Sequence, residues 1–225
     1  MPPTSSPSAG RTTVASSTRW GASAAKKAVI FDFGNVLSIL DRPATDRAFA
    51  VHCGLSPEEV GSRIWSEGLL IDLETGKIDA REHFERVRNA LGAEDSWTYE
   101  EYEEEFMRCI LPHPPGRAAL RAASDAGLRT FILSNTSFLH SRVIFLDETL
   151  ASLPELYALS YKIGFMKPDP RIWLWLLERA NLKPEDCVYV DDVDAYCQAA
   201  GDLGMGTVTY DFRVDDLWRK LEVIL

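Results

Sequence analysis

The sequence predicts an α/β fold in which helices cover both faces of a parallel β-sheet and a helical subdomain is inserted into one connection. Short apolar segments alternate with amphipathic segments over residues 113–225, and this alternation is typical of parallel strands joined by helical crossovers. The interval between the first apolar segment and this region is too long for an ordinary loop. Its apolar residues recur at helical spacing, which favours a separate helical unit.

The core elements follow one another along the chain. The first strand is predicted at AVIFDF (28–33), because consecutive β-branched and aromatic residues are typical of a strand buried on both faces. Ligands of such sheets bind at the carboxyl ends of the strands, so the functional site is expected there. The remaining core elements are a helix (117–127), a strand (128–136), a weaker strand (156–164), an amphipathic helix (169–182), a strand (187–192), a helix (195–204), a strand (206–211) and a final helix (215–224).

The inserted helical subdomain, called the cap here, is predicted for residues 38–112. The core then comprises residues 28–37 and 113–225. Most of the excess negative charge of the chain lies in the cap, which disfavours polyanionic substrates. The cap helices are predicted at 56–70, 79–92 and 98–111, with LETGKID (73–79) as a break between helices.

Residues 1–27 stand outside this pattern. They are rich in Ser, Thr, Ala and Pro and contain no acidic residue, so they cannot supply a core. We expect a disordered tail or, given the Arg and Ser content, an organelle transit peptide. The protein is therefore expected in the cytoplasm or, if a transit peptide is present, in an organelle matrix.

Composition excludes several kinds of partner. The net charge of −10 argues against a nucleic acid as the main partner, and no segment reaches the ~18 apolar residues that a membrane helix needs. The four cysteines and four histidines are not spaced as zinc ligands, so the cysteines are expected to be reduced thiols. The sequence leaves the oligomeric state open.

Polar and charged side chains follow the predicted strands where each strand ends. Because the carboxyl ends of parallel strands meet at one edge of the sheet, we expect these groups to lie together. Three carboxylates in such proximity raise one another's pKa and are unfavourable unless a cation compensates. Oxygen ligands beside a phosphate-sized gap favour Mg²⁺. The residues are Asp32 after the first strand, Ser134 and Asn135 after the second, Lys167 after the weaker strand, and Asp191 and Asp192 after the strand at 187–192.

Four motifs in this order, FDFGNV, LSNT, MKPDP and VYVDD, resemble those of the haloacid dehalogenase superfamily, in the branch with a helical cap inserted after the first strand. The resemblance covers residues 28–225 and implies a Rossmann-like core. It also implies a Mg²⁺-dependent phosphatase acting on small phosphorylated metabolites, in which Asp32 attacks phosphorus and water hydrolyses the resulting aspartyl-phosphate.

The resemblance implies a role for each matching residue. Asp32, the backbone carbonyl of Gly34 and Asp191 would hold Mg²⁺, and Asp192 would orient the metal. Ser134 would donate its hydroxyl to the phosphoryl group, Lys167 would supply a fixed positive charge, and Asn135 is counted with them as substrate-binding. Structural alternatives stay open for several of these: Ser134 and Asn135 as turn caps, Lys167 as a solvated loop lysine, and Asp192 as a structural acid.

Gly34 stands where family phosphatases usually have a second Asp, which protonates the leaving group and later activates water. General acid–base catalysis contributes about 10²- to 10⁴-fold, so the substrate is expected to leave easily or to be protonated through water. The DFGN form resembles a branch that includes phosphatases of glucose 1-phosphate. A small sugar phosphate is therefore the first expectation for the substrate, ahead of a nucleotide.

Two other functions are weighed against a phosphatase. A non-catalytic binding or scaffold protein is suggested by Gly34 and by Val193 and Tyr196, which replace polar residues that family members often carry. A metal-independent haloacid dehalogenase is disfavoured, because Asp191 and Asp192 would repel an anionic haloacid. Residues that set specificity are expected in the cap, with candidates in LLIDLETGKID (69–79) or near Arg63 and Lys77.

Overall fold

The computed structural model describes residues 25–65 and 67–225. Most of the predicted tail or transit peptide at 1–27 lies outside the described residues. The strands are β1 (Ala28–Phe31), β2 (Ser38–Leu40), β3 (Ile110–Pro112), β4 (Arg129–Ser134), β5 (Leu156–Leu159), β6 (Cys187–Asp191) and β7 (Gly206–Thr209). The helices are α1 (Arg42–Ala50), α2 (Pro57–Ile64), α3 (Glu67–Glu74), α4 (Ala80–Leu91), α5 (Tyr99–Met107), α6 (Pro114–Asp125), α7 (Phe138–Leu146), α8 (Glu148–Ser152), α9 (Ser160–Ile163), α10 (Arg171–Ala180), α11 (Asp194–Asp202) and α12 (Leu217–Glu222).

A five-stranded parallel sheet forms the centre of the core. Its strand order is β5-β4-β1-β6-β7, and every neighbouring pair is parallel. All four residues of β1 are buried, because this strand is flanked by β4 and β6 and covered on both faces. This arrangement explains the continuous apolar run in the sequence, and it confirms the predicted α/β fold.

Apolar clusters fill both faces of the sheet, and residues of β1 alternate between them. Val29 and Phe31 belong to one cluster, and Ala28 and Ile30 belong to the other. Successive side chains of a strand point to opposite faces, so this one short strand contributes to both halves of the core. Its next residue, Asp32, is held at the carboxyl edge where its backbone N–H donates to the carbonyl of Val190 at 2.9 Å.

The cap region has its own aromatic core. Phe49, Trp97, Tyr102 and Phe106 are buried together there, and Leu139 of α7 packs into the same cluster. The antiparallel pair β2–β3 connects this region to the sheet in both chain directions. The cap region is therefore packed against the core through α7, while the division of the chain at 37/38 and 112/113 stays a prediction.

Several elements differ from the sequence-based expectation. The predicted weak strand at 156–164 is a strand only in its first half, and its second half is helix α9. LETGKID is not a break throughout, because α3 continues to Glu74 and the turn comes at Gly76, where φ is +69°. Leu73 explains the extension, since its side chain is buried in the cap core. Helices α1, α7 and α8 were not predicted.

Among the helices of the described part of the chain, none combines the length and the apolar character that crossing a membrane requires.

Candidate active site

Three carboxylates converge where β1 and β6 end. Asp32 follows β1, Asp191 is the last residue of β6, and Asp192 comes next. Each offers one oxygen to a group in which all these oxygens lie within 4.8 Å of one another. Asp32 is 7% exposed and Asp191 is fully buried. The parallel register therefore brings together the acids that the strand ends suggested.

Lys167 is inserted between two of these acids. Its Nζ atom lies 2.8 Å from Oδ1 of Asp32 and 2.7 Å from Oδ2 of Asp191. With 2% of its surface exposed, Lys167 is not the solvated loop lysine that the sequence left open. One ammonium group thus faces three carboxylates, and the cluster retains an excess of negative charge.

Burial and the neighbouring charges shift the pKa values of these groups. Desolvation raises the pKa of Asp32 to about 7; Lys167 opposes this rise, and Asp191 adds to it. Burial alone would lower the pKa of Lys167, but the two adjacent carboxylates outweigh it and hold this pKa above its ordinary value. Burial also raises the pKa of Asp192. Three oxygen donors with uncompensated charge fit a hard divalent cation such as Mg²⁺, which prefers carboxylate ligands.

Both oxygens of Asp191 are held by neighbours. Oδ1 accepts a hydrogen bond from the backbone N–H of Val193 at 2.9 Å, and Oδ2 accepts from Lys167 and from the hydroxyl of Tyr189. The Val193 contact is made by the backbone, so it does not need a polar side chain at that position. Sequence reasoning missed Tyr189, although its place two residues before Asp191 puts both side chains on one face of β6.

Asn35 orients Asp192. Its Nδ2 atom donates to Oδ2 of Asp192 at 2.9 Å, and its Oδ1 atom accepts from the backbone N–H of Leu40 at 3.1 Å. Asn35 has a φ of +54°, in the left-handed region that Asn tolerates better than most residues. Sequence reasoning did not assign a role to this residue; the signal for it was an Asn directly after a Gly at a strand end.

The side chain of Asn135 is hydrogen-bonded to both backbone polar groups of Lys167. Its Oδ1 atom accepts from the Lys167 N–H at 2.7 Å, and its Nδ2 atom donates to the Lys167 carbonyl at 3.0 Å. Ser134, at the end of β4, is buried and donates its hydroxyl to the Asn135 carbonyl at 3.3 Å. The structure therefore places Asn135 as a support for the lysine loop, with Ser134 beside it.

A cavity of about 310 Å³ lies above the carboxylates. Asp32, Gly34, Asp192 and Lys167 line it from the core, and Leu40, Arg42, Leu70 and Glu74 line it from the cap region. Leu70 and Glu74 belong to the segment 69–79 in which cap candidates were expected.

The other two cap candidates, Arg63 and Lys77, do not line the cavity. Arg63 donates to the carbonyl of Ala90, and Lys77 pairs with Asp72. Neither lines the cavity above the carboxylates. Arg42, which does line it, was missed by sequence reasoning because α1 was not predicted.

Comparison with protein families agrees with this geometry. A family model described as haloacid dehalogenase-like hydrolase matches residues 26–204. The chain belongs to the haloacid dehalogenase-like hydrolase family. The resemblance carried by the four motifs is thereby confirmed. Gly34 accordingly marks a member of this family that has no acid at the second position after Asp32.

Two curated relatives align with most of the chain. A Mycobacterium tuberculosis protein named phosphatase MT3486 is 29% identical over 190 residues, which is 82% of this chain and 87% of the relative. The D-ribitol-5-phosphate phosphatase of Bacteroides thetaiotaomicron is 26% identical and covers 88% of this chain and 98% of its own.

Solved structures share the fold. A haloacid dehalogenase family enzyme from Bacteroides thetaiotaomicron, in complex with magnesium and inorganic phosphate, superimposes with a TM-score of 0.73 at 23% identity. The match covers 84% of this chain and 96% of that enzyme. At this identity the likeness establishes the fold.

Proposed function

We propose that the protein is a Mg²⁺-dependent phosphatase that hydrolyses small phosphorylated metabolites through an aspartyl-phosphate on Asp32. The observation that carries the proposal is the cluster of Asp32, Asp191 and Asp192 oxygens within 4.8 Å, bridged by Lys167 at the base of a small cavity. Two relatives named as phosphatases, which cover most of the chain, support it.

The proposed nucleophile is the carboxylate of Asp32. One of its oxygens forms a bond to phosphorus while the bond from phosphorus to the leaving oxygen breaks. Water then attacks the phosphorus of the aspartyl-phosphate, which releases inorganic phosphate and restores the carboxylate. Lys167 contacts Asp32 directly, so its charge favours the ionised nucleophile and opposes the negative charge of the phosphoryl oxygens.

The groups around Asp32 would bind the metal ion and the phosphoryl group. Asp32, the carbonyl of Gly34 and Asp191 would hold Mg²⁺, with Asp192 orienting it. The ion, when bound, would neutralise charge on the phosphoryl oxygens. Ser134 would donate its hydroxyl to the phosphoryl group.

The lysine loop is supported by Asn135. This residue would act on the substrate through the Lys167 loop, because both atoms of its amide are hydrogen-bonded to the Lys167 backbone. We therefore assign Asn135 to positioning rather than to direct contact with phosphate.

A small sugar or polyol phosphate is the proposed substrate class. The cavity above the carboxylates measures about 310 Å³, near the lower end of the range of ligand pockets, which is about 300 to 1,000 Å³. The cap region contributes one basic and one acidic side chain, Arg42 and Glu74, and both can hydrogen-bond hydroxyl groups. A relative named for D-ribitol 5-phosphate supports this class.

Two alternatives are less well supported by the geometry. A haloacid dehalogenase would have to attract an organic anion to three acids that face one ammonium group. A scaffold protein would gain little from burying an ion pair between Asp32 and Lys167, because two well-packed apolar side chains in their place are often at least as stable.

Turnover of p-nitrophenyl phosphate with Mg²⁺ and with EDTA tests the proposal. Asp32→Asn should abolish turnover, while the control Asp125→Asn, an exposed acid at the end of α6, should leave it unchanged. A panel of phosphorylated metabolites would then rank sugar and polyol phosphates against nucleotides. Undiminished turnover in EDTA, or in Asp32→Asn, would contradict the proposal.

A further inference from the structure

Gly34, which has no side chain, lines the active-site cavity. A Cβ atom placed on Gly34 would meet no atom within 4 Å, and the backbone there is not in the left-handed region. The space next to this Cβ position is therefore free of protein atoms. Gly34 is not required by a left-handed backbone or by close packing, so the missing acid raises the question whether another group in the cavity does its work.

Glu74 is a carboxyl group that the cap region contributes to the same space. It lines the 310 Å³ cavity together with Asp32 and Gly34, and it lines a second, smaller cavity of about 50 Å³ together with Gly34 and Ser134. Gly34 and Glu74 thus line the same two cavities. In the described part of the chain, no other carboxyl group of the cap lines either cavity.

The turn after α3 fixes Glu74 in this place. The N–H of Gly76 donates to the Leu73 carbonyl, and the N–H of Lys77 donates to the Asp72 carbonyl, which together end the helix in a left-handed cap. Gly76 also lies against the core, since a Cβ there would come within 2.2 Å of the Tyr161 carbonyl. The end of α3 is therefore docked on α9 of the core.

The surroundings of Glu74 are unfavourable for a carboxylate that has only a structural role. The side chain is at the negative end of α3, whose last turn has no basic residue. No hydrogen bond from a described side chain holds it, and only the charges of Arg42 and Lys167 favour its ionised form. Burial outweighs those charges and raises the pKa of Glu74 to about 7.

The charged and titratable groups that line the 310 Å³ cavity with this carboxyl come from several elements. They are Arg42 on α1, Lys167 in the loop after α9, Asp32 after β1, Asp192 after β6, and Tyr196 on α11. Among them, Lys167 is held by two carboxylates and Asp32 is the proposed nucleophile. Glu74 is thus the carboxyl group in the cap wall that remains available for proton transfer.

We propose that Glu74 is the general acid and general base of the reaction, taking the role that Gly34 cannot perform. This inference rests on the proposed function, because it requires that Asp32 be the nucleophile. In the first step, the carboxyl group of Glu74 gives its proton to the leaving oxygen as the bond from that oxygen to phosphorus breaks and Asp32 binds phosphorus. In the second step, the carboxylate of Glu74 takes a proton from the attacking water, and the bond from phosphorus to Asp32 breaks. Phosphate leaves, and Glu74 is protonated again.

Glu74→Gln in the full chain tests the proposal through a leaving-group series. The series runs from p-nitrophenyl phosphate through phenyl phosphate to an alkyl phosphate. We expect kcat/KM to fall by about 100-fold or more for the alkyl ester and by less than about 10-fold for p-nitrophenyl phosphate, whose leaving group needs little protonation. The control Glu100→Gln, an exposed cap acid on α5, should leave the series unchanged.

The second step has its own signature. With p-nitrophenyl phosphate and Glu74→Gln, we expect a burst of one p-nitrophenol per active site followed by slow turnover, because hydrolysis of the aspartyl-phosphate lacks its base. A uniform loss across the series would assign Glu74 to substrate binding and overturn the proposal. Unchanged rates would overturn it as well.

A double-mutant cycle with Gly34→Asp gives a second test. If the carboxyl groups substitute for one another, Glu74→Gln should reduce alkyl phosphate hydrolysis by less than about 10-fold in the Gly34→Asp background, against about 100-fold or more in the wild type. Additive effects would overturn the proposal.

Asp32→Asn distinguishes a failure of the proposed function from a failure of the role of Glu74. If Asp32→Asn retains activity, the proposed function fails. If Asp32→Asn is inactive and Glu74→Gln is unaffected, only the role of Glu74 is refuted.

Discussion

Nζ of Lys167 lies 2.8 Å from Oδ1 of Asp32, and both side chains are buried at the carboxyl end of the central strand. The same ammonium group lies 2.7 Å from Asp191. A single lysine therefore holds the proposed nucleophile and a proposed metal ligand in one cluster. The stability of this edge of the sheet depends on how the remaining negative charge is compensated.

Removal of this ammonium group should make folding depend on Mg²⁺. In Lys167→Met, the acids lose their buried partner, and breaking a buried ion pair costs about 3–5 kcal/mol. We expect a loss of that size in the free energy of unfolding with EDTA and a smaller loss with Mg²⁺, measured by urea denaturation. The control Lys162→Met, at an exposed position in α9, should change stability little in either condition. Equal losses with and without Mg²⁺ would contradict a shared cation site.

Asp192 should contribute to cation affinity although it is only partly buried. Asn35 fixes its carboxylate by a 2.9 Å hydrogen bond, so Asp192→Asn should weaken Mg²⁺ binding by about 10- to 100-fold, as is typical for groups that orient a metal. Isothermal titration calorimetry measures this without turnover. The control Asp194→Asn alters an exposed acid that accepts from Thr209 and should bind Mg²⁺ as the wild type does. Equal affinities of all three proteins would remove Asp192 from the site.

Gly34→Asp should be tolerated, and it should restore hydrolysis of substrates with poor leaving groups when Glu74 is replaced by Gln. A side chain at this position meets no atom within 4 Å of its Cβ, so we expect the variant to fold in the presence of Mg²⁺. In the Glu74→Gln background, its carboxyl group should raise hydrolysis of alkyl phosphates more than that of p-nitrophenyl phosphate, within the limit of about 10²- to 10⁴-fold for acid–base catalysis. Gly34→Asn, of similar size and without a titrating group, is the matched control. Equal changes across the leaving groups would count against this expectation.

His140 should make the protein less stable in mild acid. Its ring stacks on Phe106 and its Nε2–H donates to the Phe106 carbonyl at 3.2 Å. Burial lowers the pKa of His140 to about 4 from its ordinary 6.5. Between these values the unfolded chain binds a proton that the folded chain does not, so stability falls as pH decreases from 6.5 to 4.

The loss attributable to His140 is at most about 3 kcal/mol, from a shift of this size at 1.36 kcal/mol per pKa unit. Urea denaturation at pH 7 and at pH 4.5 measures it. His140→Gln, which can still donate to the Phe106 carbonyl, should show a smaller drop between the two pH values than the wild type does. An identical drop would show that His140 is not the group responsible.

The sequence predicted the site residues of the core better than those of the cap region. Asp32 and Asp191 could be placed because each directly ends an apolar strand, and parallel strands carry such residues to one edge. Tyr189 and Asn35 were missed, since neither carries a charge and the hydrogen bond of Asn35 depends on the turn geometry that the chain adopts. A strand-end motif specifies the charged residue more directly than the neighbours that orient it.

Glu74 and Arg42 show why the individual cap residues of the site could not be predicted, although Glu74 lies in the segment 69–79 in which candidates were expected. Glu74 lay in a segment read as a helix break, yet burial of Leu73 in the cap core extends α3 through it. Its position over the cavity depends further on the docking of Gly76 against Tyr161, which is distant in sequence. Local propensity carries no information on such packing between the cap and the core.

Rapid acid quenching followed by peptide mass spectrometry shows whether Asp32 carries a phosphoryl group during turnover. During turnover with Mg²⁺, we expect a phosphoryl group on the peptide that contains Asp32, and this signal should be absent with EDTA and in the Asp32→Asn variant. Sustained phosphate release in Asp32→Asn, with no phosphoryl group trapped on the wild-type peptide, would contradict it.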